Sequence, residues 1–522
     1  MNITRRDFFL TGLAAFIIPK NFHKNAFTSF PGLVNDLAMG PIQNIGLQFF
    51  SKDFTGDSIS KAHDVLWDRE NFIKRFGGLP PVENKYDVII AGSGLAGLSS
   101  AHYLSGQKIL ALEGHKQTGG NAKGEIFQGT TFGLGSAYLT LPDEGSLMDQ
   151  LLKDLGLNQK FRIEDARQAS VSINNKTHSN FWIEHETVFN RFKDIRENSY
   201  PDVFNYEGPW DGINFAQWMK NEFPQLHPHV EEFFHQYCWS SLGGDPAELS
   251  SAQVISFLAS DLGGIMTLPG GNALIAQKLY EKNIEHGVEY RNSSFVIDIR
   301  EDNSGVRVTY FDETSGRLKA HWGSKCVVAM PKFAAKSIVQ GLPQSQFELM
   351  NSMKYRGYLV ANVLLSRKVK SENFDTYCLN AKVPSHAMND SKLRVFTDII
   401  DADWANDGKG PRSILTLYLP MPYSMSHQQF FLPNLFDKYD EKIRKTLAPY
   451  IEGNSIEAIR MTRFGHAMIL AEVEGLNSQK FKKAHAALND KIVFAGQDNW
   501  GNPCFETALQ SAHEAAGCLL GR

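Results

Sequence analysis

Residues 85–121, KYDVIIAGSGLAGLSSAHYLSGQKILALEGHKQTGGN, constrain this chain more than any other stretch. An apolar run over residues 86–91 has the length of a strand and ends at Gly92, Gly94 and Gly97, after which Leu95, Leu98, Ala101 and Leu104 recur at helical spacing. The glycines therefore lie where a strand turns into a helix. There they allow a tight turn, close approach of backbone to a pyrophosphate and close helix packing, and the first-turn residues Leu95 and Ala96 present the helix N-terminus to the phosphates. A second strand, residues 108–112, ends on Glu113, about 20 residues past the first glycines, where a carboxylate accepts hydrogen bonds from a ribose. A glycine triplet alone reads equally as an ordinary loop. With strand, helix, second strand and acid in place, the unit predicts an adenosine diphosphate ligand with a free ribose.

A second glycine pair, Gly119 and Gly120, with Asn121, comes about six residues past the acid, and GEIFQGTTFGLGSAYL leads on to Gly133, Gly135 and Ser136. This order resembles the glutathione-reductase-like FAD fold found in flavin amine oxidases and phytoene desaturases. The resemblance implies FAD as the cofactor.

The 522 residues suffice for two or three domains, and 42% hydrophobic with 21% charged residues is ordinary for a globular chain. A net charge of −4 implies no attraction to nucleic acid or acidic lipid. Thr4, Arg5, Arg6, Asp7, Phe8, Phe9 and Leu10 match a twin-arginine export signal, and the apolar run after them ends before Pro19 and Lys20, too short to span a bilayer, which takes about 20 residues. A buried N-terminal helix or a membrane anchor is the other reading. Export of a folded chain to the periplasm or another extracytoplasmic compartment makes the twin-arginine machinery a partner. Cys238, Cys326, Cys378, Cys504 and Cys518 are odd in number and widely separated, so no disulfide framework is expected.

The expected fold class is α/β: a Rossmann-like FAD-binding domain of the glutathione-reductase type, assembled from separated segments, with an α+β substrate domain. Residues 1–30 form the signal and 31–84 an extension that packs on the body. FAD-binding segments are 85–142, 268–335 and 455–522; substrate segments are 143–267 and 336–454. Residues 268–335 alternate like added strands, and KIVFAGQDNWGNPCFETALQSAHEAAGCLL reads as strand, loop and closing helix.

Four separated segments match in order, and the chain resembles the flavin amine oxidoreductase superfamily over most of residues 84–522. By that resemblance Val296 meets the adenine side through its backbone, and residues 326–331 match a strand ending in Ala-x-Pro beside the cofactor. Gly496, Gln497, Asp498, Glu506, Thr507 and Ala508 hold the flavin half. A nearer likeness is to exported bacterial spermidine dehydrogenases, carried by ITRRDFFLTG, TGDSISKAHDVLWD, GGNAK and LPGGNALIAQKL. It implies hydride transfer from the carbon next to a deprotonated amine to flavin N5, followed by hydrolysis of the imine. It also implies haem, with His63 as an axial ligand; the same histidine reads as a helix-surface side chain packed beside Trp67.

Several residues depart from the family pattern. Gln117 and Asn121 replace arginines, and the strand YLVANVLLS lacks the lysine that oxidases place near flavin N5, leaving Asn362 as its polar side chain. Cys504 stands where a cage tyrosine is usual, so Trp500 is the candidate aromatic face. His466, in RFGHAM, is the candidate base for an ammonium proton, and is equally read as a structural histidine. Glu472 and Glu474 are candidate pocket acids or loop surface. The small-molecule substrate is an amine on this reading; an apolar carbon skeleton, or flavin binding without catalysis, are the alternatives. An acid pair in the pocket would favour the amine.

Overall fold

The computed structural model describes residues 39–50, 53–57, 59–369, 373–380, 383–384, 394–406, 410–422, 434–451 and 453–521. The proposed export signal lies outside them. Helix α1 (Ile59–Trp67) forms where the sequence predicts it, and Ser60, one of two candidate N-caps, lies within the helix.

Two sheets organise the body. The first is mainly parallel around β1 (Val82–Ala91), flanked by β2 (Ile109–Leu112) on one side and, on the other, by the meander β3 (Ser294–Asp302), β4 (Gly305–Asp312) and β5 (Arg317–Val328). β1 pairs with β2 as Val88↔Ile109 and Ile90↔Ala111, and with β5 as Lys325↔Val88 and Val328↔Ala91. Val88 to Ala91 are buried on both faces, as a parallel strand covered on two sides requires. On one face lies α2 (Leu95–Tyr103), whose Ala96–Ala101 stretch is wholly buried beneath the helix Ala273–Glu285 and the C-terminal helix Phe505–Leu520. The strand Ile492–Phe494 joins the same sheet beside β5. Segments far apart in sequence thus close one dinucleotide fold.

The second sheet has β6 (Tyr355–Leu365), β7 (Asp375–Cys378), β8 (Asp398–Asp401), β9 (Ile414–Pro420) and β10 (Ile456–Ile469), in the order β7-β8-β9-β6-β10. Its two faces differ in chemistry because side chains alternate along each strand. Leu359, Ala361, Val363, Leu415, Leu417 and Met461 pack against Leu435, Tyr439, Ile443 and Leu447 of the helix Leu435–Leu447. The opposite face carries Tyr358, Val360 and Asn362 of β6 beside Thr416 and Tyr418 of β9, with Asp398 of β8 opposite Tyr377 of β7.

β10 corrects the expected boundary at residue 455. It pairs with β6 from Tyr355↔Ile469 to Leu365↔Ile456 and so belongs to the substrate sheet. Its charged sequence hid a strand whose inward residues, Ile459 and Met461, alternate with Arg460 and Thr462. Between Arg356↔Met468 and Tyr358↔Phe464 the register shifts, so residues 465–467 bulge. The extension packs on the body as expected: Ile42–Asn44 pairs with Gly124–Phe127, and Thr55–Gly56 with Thr462 and Arg463 of β10.

Candidate cofactor and substrate site

Sterics fix the turn between β1 and α2. A Cβ on Gly97 would lie 2.0 Å from the Gly92 carbonyl oxygen, and one on Gly120 (φ +58°) would lie 2.8 Å from the Gly94 Cα. Both glycine loops are therefore pressed together, with Gly119 N–H donating to the Ser93 carbonyl at 2.8 Å. Glu113 is buried at the end of β2; one carboxylate oxygen accepts from Ser93 N–H and the other from His115 N–H, each at 2.9 Å. Each oxygen keeps a second lone pair for a ribose hydroxyl. Val296 is brought next to this acid, since Ser294 N–H donates to the Glu113 carbonyl at 2.7 Å.

Gly135 and Ser136 meet the same loops. Ser136 N–H donates to the Asn121 carbonyl at 3.0 Å, and a Cβ on Gly135 would strike that carbonyl at 2.2 Å. Asn121 and Gln497, more than 300 residues apart in sequence, both donate side-chain amides to one acceptor, the Ala467 carbonyl, at 3.0 Å each. The bulge of β10 thus ties the first cofactor segment to the last. Gly496 adopts φ +151°, and a Cβ there would meet nothing within 4 Å, the open face that a flat ring system needs against the backbone. Thr507 Oγ1 donates to the Asn502 carbonyl at 2.7 Å, fixing the turn into the helix Phe505–Leu520. Ala508 is buried in its first turns.

Lys123, the last residue of GGNAK, is a functional group that its sequence position does not announce. Its side chain is buried with no bonded partner among the described residues; burial pushes its pKa down, while Glu113 and Asp57 pull it up. A buried ammonium beside a glycine loop fits the diphosphate of FAD. Asp57 comes from the extension, where it accepts from Gly465 N–H at 2.8 Å.

Other expected positions are occupied differently. Asp498, expected at the cofactor, accepts through one oxygen from Lys332 N–H at 2.8 Å and from the Tyr355 hydroxyl. Lys332 itself is fully buried, bonded to Asn499 Oδ1 at 2.6 Å, and burial pushes its pKa down to about 8. Glu506 accepts from Thr140 Oγ1 at 3.0 Å. Asn362 donates to the Gly133 carbonyl at 3.0 Å and accepts from Thr416 Oγ1 at 2.7 Å, so it braces the loop. His466 rides the bulge, stacked on Phe333 at 4.0 Å, and Trp500 meets Phe204 edge-on at 5.1 Å. Asn362 pairs with Arg460, six positions before His466, so these two candidates lie roughly 15–20 Å apart along the strand. Glu472 is bonded to Lys480 at 2.5 Å, outside the cofactor loops. His63 lies flat on Trp67, ring centroids 4.5 Å apart at 9°, as a helix-surface pair.

The polar face of the substrate sheet carries an unforeseen group. Asp398 accepts from Ser240 Oγ at 2.9 Å and from Thr397 Oγ1 through one oxygen, and its Oδ2 has no partner. Asp375 Oδ1 and Asp261 Oδ1 are likewise buried without partners; the other oxygen of Asp261 accepts from the Tyr237 hydroxyl at 2.6 Å. Burial raises the pKa of Asp261 and of Asp398 to about 7 each, and burial plus the charges of Asp398 and Glu164 raises Asp375 well above the carboxylate range. Tyr138, Tyr358, Tyr377 and Tyr418 surround them, and the Tyr418 hydroxyl donates to the Gly135 carbonyl at 2.9 Å. The acid group therefore adjoins the cofactor loops. Its members come from β7, β8 and the end of the helix Ser251–Asp261, a convergence that no spacing in sequence announces.

A family model for flavin containing amine oxidoreductases matches residues 95–520. The chain belongs to that family. Membership implies FAD and makes the chain an FAD-dependent oxidoreductase; it gives no support to haem. Among relatives, the flavin amine oxidoreductase described here is similar to Oxidoreductase PigB of Serratia sp., 22% identical over 515 residues, covering 84% of this chain and 76% of PigB. It is also similar to a carotenoid 3,4-desaturase of Haloarcula japonica, 24% identical over 261 residues, covering 42% of this chain and 52% of the desaturase. The solved structure of putrescine oxidase bound to putrescine superposes with a TM-score of 0.63 at 15% identity, covering 85% of this chain and 100% of that one. At that identity the likeness speaks for the fold alone.

Proposed function

We propose that this family member is an amine dehydrogenase of the polyamine type. The observation supporting it is the set of three partnerless, buried carboxylate oxygens: those of Asp375 and Asp398 on the sheet face turned toward the cofactor loops, and that of Asp261 at the end of the helix Ser251–Asp261. An ionised oxygen in such a place is costly unless a cation meets it. An ammonium does so, whereas the hydrocarbon skeleton of a desaturase substrate brings no charge and makes no use of the three acids.

Bound FAD supplies a two-electron acceptor for the hydride leaving the carbon next to the amine. The residues of the chain do the rest. The glycine loop and Lys123 hold the diphosphate, Glu113 the ribose, and the Ala467 carbonyl, gripped by Asn121 and Gln497, fixes the bulge beside them. The tyrosines exclude water and offer ring faces to a cation. A carboxylate of the acid group accepts the proton that the reacting ammonium must lose before hydride can leave. The imine then hydrolyses. Asn362, in place of the oxidase lysine, supports an electron acceptor other than oxygen. Export through the twin-arginine route belongs to the same proposal and rests on residues 4–10; its check is fractionation of an R5K/R6K double variant, which should stay in the cytoplasm.

The principal test is the anaerobic visible spectrum of the FAD-loaded protein. Spermidine or 1,4-diaminobutane should bleach the flavin bands. Bleaching by a polyene and by no amine would hand the assignment to the desaturase class, and a Soret band lost in His63→Ala would add haem.

A further inference from the structure

The acid group has no ion pair among the described residues, although it holds three oxygens ready to accept one. The cation that acts on Asp398 is Arg394, and its guanidinium is already taken up by the carbonyls of Phe396, Leu379 and Cys378 and by the Tyr450 hydroxyl. Asp375 feels Asp398, Glu164 and Asp261, all of its own sign. Asp261 feels Glu506 and is hydrogen-bonded to Tyr237. Like charges packed this closely in a buried place cannot all ionise, so protons neutralise some of them until a cation arrives.

On the amine reading above, we propose that Asp261, Asp375 and Asp398 form a proton-exchanging specificity element, in which the second ammonium of a diamine enters as protons leave to solvent. The exchange balances in charge: one ammonium in, one proton out, no bond to carbon broken. It makes substrate preference depend on pH. In acid the element is neutral and a second positive charge on the substrate finds no counter-charge; as pH rises through neutrality the carboxylates become available and diamines gain over monoamines. The pKa values of about 7 for Asp261 and Asp398 set the window, and the Tyr138, Tyr237, Tyr358, Tyr377 and Tyr418 hydroxyls, all pushed upward by burial, stay protonated through it.

The test compares 1,4-diaminobutane with butylamine on the FAD-loaded enzyme, anaerobically, in weak buffer with a pH indicator, so that flavin bleaching and proton release are read together. The expected result is a diamine-to-monoamine ratio of kcat/KM that rises about tenfold, equivalent to about 1.4 kcal/mol, between pH 6 and pH 8. About one more proton should be released near pH 7 for the diamine than for the monoamine. Asp398→Asn should flatten the rise. Should that variant fail to fold, Ser240→Ala serves: losing its hydrogen bond weakens the ionised form of Asp398 and should move the rise to higher pH. A ratio constant with pH in the wild type, or an unchanged profile in the folded variants, overturns the exchange while leaving amine oxidation standing. Failure of every amine to bleach the flavin overturns the amine reading itself.

Discussion

The two sides of this site are built on opposite terms. On the cofactor side the ribose acid and the bracing amides are already matched: Glu113 accepts two backbone N–H groups, and Asn121 and Gln497 share the Ala467 carbonyl, which leaves Lys123 and the Ser93 hydroxyl unmatched there among the described residues. On the substrate side three carboxylate oxygens stand buried and unmatched. The first is a rigid mould whose shape is dictated by what backbone can fit. The second is a charge arrangement finished by what it binds. Matched groups hold position whatever the pH, whereas unmatched acids respond to protons and cations alike.

The largest expected effect breaks the mould. Gly97→Val places a branched side chain where even a Cβ would lie 2.0 Å from the Gly92 carbonyl. FAD affinity should fall on the order of a hundredfold, about 3 kcal/mol, in a fluorescence titration of the deflavinated protein; wild-type affinity would remove the steric argument. Lys123→Met should cost about tenfold in the same titration and weaken its salt dependence, with Lys123→Arg recovering most of the loss. An unaltered titration would move Lys123 away from the diphosphate.

The third prediction reads the acids. Their folded-state pKa values lie above the ordinary carboxyl range, so between about pH 4 and about 7 the folded chain binds more protons than the unfolded one and stability declines as pH rises. Thermal midpoints should drop across that interval, roughly by several degrees, with spermidine offsetting the loss and Asp398→Asn shallowing the slope. A midpoint that climbs from pH 5 to 7 would contradict it. The smallest effect joins the two sides: Tyr418→Phe removes one hydrogen bond to the Gly135 carbonyl and should lower stability by about 1 kcal/mol in a urea titration, with no change in the pH slope.

Much of the cofactor side was legible in sequence because its demands are local. A turn that admits only glycine, an acid at a strand end and a helix start each leave a mark within a few residues. Lys123 was missed because one lysine near a glycine pair marks nothing until its burial is known. The motif position of Asp498 does not announce that Tyr355 and the helix Lys332–Ile338 hold one of its oxygens. The strand β10 is hard to see in sequence because Arg460, Arg463 and His466 mask its alternation. The acid group was invisible for a plainer reason: Asp261, Asp375 and Asp398 meet through tertiary packing, and isolated aspartates in sequence look like surface.

The shared acceptor at Ala467 carries a further consequence, one of timing. Residue 121 leaves the ribosome well before 467 and 497, so a nascent chain that has reached 467 and not 497 has one grip on that carbonyl where the longer chain has two. The join between these two cofactor segments is therefore made only once residue 497 has emerged.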